Sequence, residues 1–521
     1  MRQLTALDAQ FLNVESATTA AHVAGLAILG PAAGTVDRAA LAKLLLDRVH
    51  LSPALSLRLA EVPLGLDHPY WAPDPGFDID NHLFEMTLPA PGDDQLLAEA
   101  VAELHARRLD RAHPLWETHL INGLAGGRVA VYTKVHHAAI DGVSGAETLA
   151  TLLDLTPDGN IPAPAGKGPA SDGDGPVRTG KGSVRDGGGP VRTGDGEVGS
   201  GAPGLAEMLA GAAVRTATHP VRALQSVVRA AEDLDAIPLA ATIPGARLIA
   251  RAARLVARDR HQRPELPSLA VPRTPLNGPI SARRRLSFDS LPLSDVRRVA
   301  RTNGISVNDV VMTLCASALR SWLRERDALP AAPLVAAVPV AVRTSAARDL
   351  AGNQLSAMVA PVPTNVPDPR ERLRAVGTAM GQAKRRFALA PATWPSELCS
   401  MLPAPVTSLV TPAIFRLAAL AFPPINLIIS NVPGPQFPLY MCGGRVLAYY
   451  PLSVLTDMSG GLNITCFSYD GRLDFGIVAC PERVDDVWGL LGHLRTALDE
   501  LLDERVGDEL RDRVGVDLVA G

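Results

Sequence analysis

The chain has 521 residues, 47% apolar and only 4% aromatic, and its fifty basic and fifty-four acidic residues leave a formal net charge of −4. That length is too great for one ordinary core and fits two domains of about 200 residues with additional segments. The balanced charge argues against nucleic acid as an obligate partner, because phosphate binding is driven by clustered cations. The five cysteines (Cys315, Cys399, Cys442, Cys466 and Cys480) all fall in the C-terminal half without CxxC or zinc spacing, the pattern of reduced thiols in a cytosolic protein. The opening stretch MRQLTALDAQFLNVES carries Asp8 and Glu15 and lacks a basic n-region and cleavage site, so no export signal is expected. The best membrane-span candidate, 405–430, is broken by Pro412, Arg416, Pro423 and Pro424, well short of about 20 uninterrupted apolar residues.

In chain order, the spacing predicts a strand over 22–29 and then a helix with Leu41, Leu44, Leu45 and Val49 on one face. A strand over 81–88 and a helix over 94–108, with a Leu97, Val101 and Leu104 stripe, come next. Segment 115–121 then leads through Ala125, Gly126 and Gly127 into an alternating strand, 129–135. Between 157 and 204 the composition collapses to Gly, Pro, Asp and Ser. There DGDGPVRTGKGSVR is nearly repeated as DGGGPVRTGDGEVG, an expected disordered insert with nothing to bury. Segment 205–260 reads as helical and cationic. Arg247, Arg251, Arg254 and Arg258 share a stripe that suits either an anionic membrane surface or a solvated outer face.

The second half predicts a strand over 285–288, a helix capped by Ser294, and a longer helix opened by a Ser306 to Asp309 capping box and running to Arg324. A strand over 334–342, a helix over 370–386 and a strand over 426–430 ending in an NVPGP turn follow. Two or three strands between 445 and 479 precede a last helix carrying Val484, Val487, Leu491, Leu494, Leu498 and Leu501. The fold class is α/β, with strands and helices interleaved in both halves. The expected domains are 1–156, the insert 157–204, the helical linker 205–273 and a second lobe 274–521.

The chemistry concentrates at His136-His137-Ala-Ala-Ile-Asp141-Gly142. Val129, Val131, Thr133 and Val135 alternate with Ala130, Tyr132 and Lys134, so His136 continues the Tyr132/Lys134 face and His137 the valine face if the extended geometry persists. A histidine is the usual base for removing a hydroxyl or thiol proton. His137 and Asp141 stand four apart, but the Asp-Gly turn disfavours a helical zinc pair and no third ligand is near, so no metal is expected. Gly142-Val-Ser144-Gly145 lacks the G-x-S-x-G frame of a nucleophilic serine, and no cysteine precedes Cys315. Taken alone, two histidines ending a core strand would read as structural.

HHAAIDG resembles the HHxxxDG motif of the chloramphenicol-acetyltransferase-like superfamily. The wider chain resembles the bacterial wax ester synthase/acyl-CoA:diacylglycerol acyltransferase family. The matching pieces run in order: Leu7-Asp8 with Phe11-Leu12 and Glu15, His22-Val23 with Gly25-Leu26, Pro114-Leu-Trp116-Glu117, Thr274-Pro-Leu-Asn-Gly278, Asn308-Asp309-Val310, Pro339-Val340 with Arg343, Gly352-Asn353, and Ser430-Asn-Val-Pro-Gly-Pro435. Thr19-Ala20-Ala21 departs from the proline and methionine usual before the His-Val pair. His136 to Asp141 also satisfies the HxxxxD spacing of glycerolipid acyltransferases, which are shorter and lack the second-half pieces.

The resemblance implies two acetyltransferase-like lobes with mixed sheets around an interlobe tunnel, and long-chain acyl transfer from acyl-CoA to diacylglycerol or a fatty alcohol. His137 would be the general base, His136 a supporting residue, Asp141 an orienting carboxylate with Arg343 as a candidate partner, and Gly142 the turn. Trp116, Asn308 and Asp309 are candidate substrate-binding or structural supports. No cofactor is implied beyond acyl-CoA as co-substrate. The expected location is the cytoplasm, peripheral on the inner membrane face or on lipid inclusions. The competing readings are a non-catalytic lipid-binding or granule protein of the same fold, and an acyltransferase for another hydroxyl or a carrier-bound acceptor.

Overall fold

The computed structural model describes residues 2–31, 36–140, 151–159, 208, 246–257, 269–341, 355–389, 403–421 and 424–503. In the first of two six-stranded sheets the order is Tyr440–Met441, Gly444–Leu452, His22–Leu29, Val129–His136, Trp116–Asn122 and Leu83–Thr87. The alternation of the Val129–His136 strand fills two separate cores. Ala130 and Tyr132 pack with Leu97, Val101 and Leu104 of helix Asp94–Ala106, while Val131 and Val135 pack with Leu41 and Leu45 of helix Arg38–Arg48.

A three-stranded sheet (Arg2–Gln3, Tyr70–Pro73, Leu57–Ala60) carries helix Ala6–Asn13 to the histidine end of that strand. Thr5 and Asp8 close a capping box at the helix start, and Leu4, Leu12, Trp71, Leu115 and Ala138 form the small core that seats it.

The second sheet runs Leu355–Val362, Leu334–Ala341, Leu427–Pro433, Leu462–Tyr469, Arg472–Ala479 and Arg285–Pro292, with Leu427–Pro433 parallel to both neighbours. Helices Leu293–Asn303, Val307–Arg324, Pro369–Leu389 and Val487–Leu502 contribute to its main core. The Ser306 box is formed, but Ser294 does not cap its helix. That helix starts at Leu293, directly after a strand that continues to Pro292, and its N-terminus has no side-chain cap.

The expected boundary at residue 274 does not separate the two sheets. Gly444–Leu452 leaves the second half of the chain and pairs antiparallel with His22–Leu29, Tyr449 opposite Ala27 and Leu452 opposite Ala24. Without it His22–Leu29 would present a row of unpaired backbone donors and acceptors. A buried carboxylate fixes the crossing strand to the second sheet. Asp474 accepts from Ser290 Oγ at 2.6 Å and from the Tyr449 N–H at 2.8 Å, and burial, only partly offset by these bonds, raises its pKa to about 6. Of the expected insert and linker, the structure describes residues 157–159, Met208, helix Ala246–Ala257 and 269–273. Arg247, Arg251 and Arg254 lie in that helix and Arg251 is exposed, whereas Arg258 falls outside the described residues.

Gly25 meets the crossing strand at its tightest point, since a Cβ there would stand 1.7 Å from Tyr449 Oη. Gly25→Ala is expected to destabilise the fold by about 1–3 kcal/mol through overpacking. In urea unfolding, the Gly25→Ala/Tyr449→Ala pair should lose less than the sum of the two single changes.

Candidate active site

Strand Val129–His136 ends at the first histidine, and the chain turns through 137–139. His136 points to the Tyr132/Lys134 side and is buried. Its Nδ1 accepts the Ala138 N–H at 3.0 Å, which leaves the ring proton on Nε2, 3.4 Å from Glu15 Oε1. That separation is an electrostatic contact rather than a close hydrogen bond. Glu15 Oε1 also accepts the Ala21 N–H at 3.1 Å, and Oε2 accepts from Arg111 Nη2 at 2.9 Å. Ala21 in turn receives the His137 N–H on its carbonyl at 2.8 Å. Both histidines are therefore tied to one short N-terminal segment, and their side chains have different surroundings. His137 lies flat on Phe11, ring centroids 4.0 Å apart and planes within 3°.

Burial alone would raise the Glu15 pKa, but the facing His136 ring, the Ala21 N–H and Arg111 outweigh it and bring it to about 2. Glu15 is thus a carboxylate across the working pH range.

Beneath the turn lies a buried polar layer. His22 stands opposite His136 in register, fully buried, with neither ring nitrogen hydrogen-bonded, edge-on to His105 at 4.7 Å. Burial, reinforced by the positive charge of neighbours, pushes His22 well below its usual range and His105 to about 3, so both stay neutral. His105 meets the Tyr132 hydroxyl at 2.8 Å and the Ser453 carbonyl at 3.3 Å. Lys134 Nζ, also buried, donates to the Leu104 and Arg107 carbonyls and sits 3.0 Å from Glu117 Oε2.

The other candidates are scattered. Trp116 is core: it is buried, stacks on His82 at 4.4 Å and donates Nε1–H to the Leu55 carbonyl at 2.9 Å. Asp309 completes the Ser306 capping box, while Asn308 Oδ1 accepts from Asn431 Nδ2 at 3.3 Å and so joins two of the sequence motifs. Asp141, Gly142 and Arg343 fall outside the described residues. Among the described residues no group of three potential metal ligands occurs.

Sequence reasoning did not single out Glu15, Arg111 or Phe11 as site residues. The available signal was that Phe11 and Glu15 belong to the first family-like piece of the chain, with no hint of their distant partners. A cleft of about 260 Å³ is lined by Val14, Ser16, Thr18 and Thr19 of the segment after helix Ala6–Asn13, by Pro412, Ala413, Phe415 and Arg416 of helix Ala404–Ala421, and by Asp457.

The two six-stranded mixed sheets are the architecture of a two-lobe acyltransferase of the chloramphenicol-acetyltransferase type. Residues 4–311 match the wax ester synthase/diacylglycerol acyltransferase catalytic domain, and residues 351–502 match the WS/DGAT C-terminal domain. Two putative diacylglycerol O-acyltransferases of Mycobacterium tuberculosis are similar throughout. One is 35% identical over 514 residues, covering 96% of this chain and 90% of the relative; the other is 34% identical over 507, covering 96% and 99%.

Among solved structures, the wax ester synthase/diacylglycerol acyltransferase from Marinobacter aquaeolei VT8 is similar at TM-score 0.64 and 27% identity, covering 96% of this chain and 98% of that one. A condensation domain of the calcium-dependent antibiotic synthetase shares the fold at TM-score 0.51 and 16% identity, covering 96% and 97%. The chain belongs to the wax ester synthase/diacylglycerol acyltransferase family and is an acyl-CoA-dependent acyltransferase.

Glu15→Gln should destabilise the protein by on the order of 2–3 kcal/mol at neutral pH, because a carboxylate with a depressed pKa contributes stability above its unfolded value. Wild type holds that contribution in full above pH 4.5 and loses it as pH falls toward about 2. Urea unfolding of the two proteins should therefore converge on acidification.

Proposed function

We propose that this enzyme transfers a long acyl chain from acyl-CoA to the free hydroxyl of diacylglycerol, and to long-chain alcohols, with His137 as general base. The observation that carries this is the division between the two imidazoles. His136 already spends Nδ1 on a backbone N–H and directs Nε2 at Glu15, which suits a positioning residue. His137 has its backbone pinned to Ala21 and its ring laid on Phe11, which suits a side chain held for proton transfer.

His137 takes the hydroxyl proton as the acceptor oxygen attacks the thioester carbonyl. The tetrahedral intermediate then expels the sulfur, the C–S bond breaks, and the imidazolium returns the proton to give CoA thiol and ester. No acyl-enzyme and no cofactor beyond acyl-CoA is required. A positioned base contributes about 100- to 10,000-fold. The family motif gives Asp141 the orienting role, with Arg343 as its candidate partner, and Gly142 the turn.

An apolar acceptor is met at a membrane face or a lipid inclusion, which supports a peripheral location in the cytoplasm. No described helix is long and apolar enough to cross a membrane, and helix Ala246–Ala257 exposes Leu248 and Ile249 beside Arg251, the mixed surface of an interfacial segment.

The test is transfer from a labelled long-chain acyl-CoA to diacylglycerol and, separately, to a fatty alcohol. His137→Ala should lower kcat by at least about 100-fold with folding intact. His136→Ala should cost less and should also lower the unfolding midpoint. Equal kinetic loss in the two variants would remove the assignment of the base, and wild-type binding of diacylglycerol without turnover would favour a lipid-binding protein instead.

A further inference from the structure

Helix Ala404–Ala421 has its polarity reversed. The side facing the protein carries Thr407 and Thr411, whose hydroxyls bond the Pro403 carbonyl at 3.0 Å and the Thr407 carbonyl at 2.8 Å, Thr411 also reaching Gln10 Oε1 at 3.2 Å. The outer side carries Val406, Leu409, Ala413, Ile414, Leu417 and Leu420, all exposed, Leu409 at 79% and Leu417 at 65%. At 3.6 residues per turn these six fall within an arc of roughly 140°. On an ordinary surface helix that arc would be charged. Single exposed leucines need no explanation, but a contiguous stripe marks a contact surface.

Three observations select a lipid layer as the contact. The helix is continuous through Pro412 but carries Thr407, Thr411 and Arg416 and is not long and apolar enough to cross a membrane, so it can lie along an apolar boundary. It carries no acid, and its single base, Arg416, stands at the edge of the apolar arc, where a guanidinium can reach phosphate headgroups. Pro412, Phe415 and Arg416 also wall the cleft whose opposite side is Val14, Ser16, Thr18 and Thr19. Those residues lead from Phe11, under His137, to Ala21, which holds the His137 backbone. A lipid leaving the layer beside Leu409 and Leu417 thus meets a cleft walled by the same segment that runs from Phe11, stacked on His137, to Ala21.

We propose that the outer face of helix Ala404–Ala421 docks the enzyme on a phospholipid layer and delivers the apolar acceptor from it. This rests on the acyl-acceptor reading above, and the test separates the two. Full-length wild type and Leu409→Gln/Leu417→Gln are sedimented with phosphatidylcholine/phosphatidylglycerol vesicles and assayed with diacylglycerol in the same vesicles and with hexanol in solution. The double variant should partition about 10- to 100-fold more weakly. It should lose vesicle-borne diacylglycerol transfer in proportion and keep transfer to hexanol.

Leu417→Trp should show a blue-shifted emission when vesicles are added. Equal vesicle partition by wild type and the double variant, or an unshifted tryptophan, overturns the proposal. So does a wild-type dimer in the ultracentrifuge that the double variant dissociates, which would assign the face to a second copy. Vesicle binding by a wild type that acylates neither acceptor would instead strike the acyl-acceptor reading and leave the docking face standing.

Discussion

Glu15 joins three parts of the chain that are far apart in sequence. Its carboxylate reaches the Ala21 amide on its own segment, the Arg111 guanidinium after helix Asp94–Ala106, and the His136 ring at the end of the central strand. Burying a carboxylate is costly unless it is paired and hydrogen-bonded, and here both oxygens are occupied. Removing Arg111 would leave a buried carboxylate held only by the Ala21 N–H and faced by the His136 ring. Helix Ala6–Asn13, and with it Phe11, is held against the histidine turn by this carboxylate as well as by its small apolar core.

That arrangement gives adjacent histidines opposite fates. His136 belongs to the sheet and to the polar layer beneath it, where His22 and His105 are kept neutral and Lys134 is enclosed by carbonyls and Glu117. His137 is the first residue beyond the sheet, where the backbone is no longer bound to strand geometry. The alternation argument correctly puts the two rings in different surroundings, but the reason is the end of the strand rather than its continuation onto the valine face.

Local patterns carried far in this chain. The alternation through 129–135, the Ser306 capping box, the apolar period of the last helix and the α/β class are all consequences of residues within a turn or two of each other. Long-range pairings were not accessible in the same way. Strand Leu355–Val362 gains its identity by lying against Leu334–Ala341, and Gly444–Leu452 by pairing with a strand near the opposite end of the chain. Glu15 was visible as a residue and invisible as a hub, because nothing local connects it to Arg111. The stretch around Pro412 read as an interrupted apolar run, yet the helix continues through the proline and uses its threonines inward. Ser294 does not cap because the strand runs straight into the helix, Pro292 to Leu293, which puts Ser294 inside the first turn.

The crossing strand also has a meaning in time. During synthesis the first sheet acquires its strands from residues 22 to 136 early, but the open edge of His22–Leu29 is closed only when residues 444–452 emerge. At about 5–20 residues per second the interval is on the order of tens of seconds, during which the nascent chain carries an apolar strand with one unpaired side. A chaperone that recognises extended apolar segments would find its natural client there, and a ribosome pausing before residue 444 would prolong the exposure rather than complete a domain.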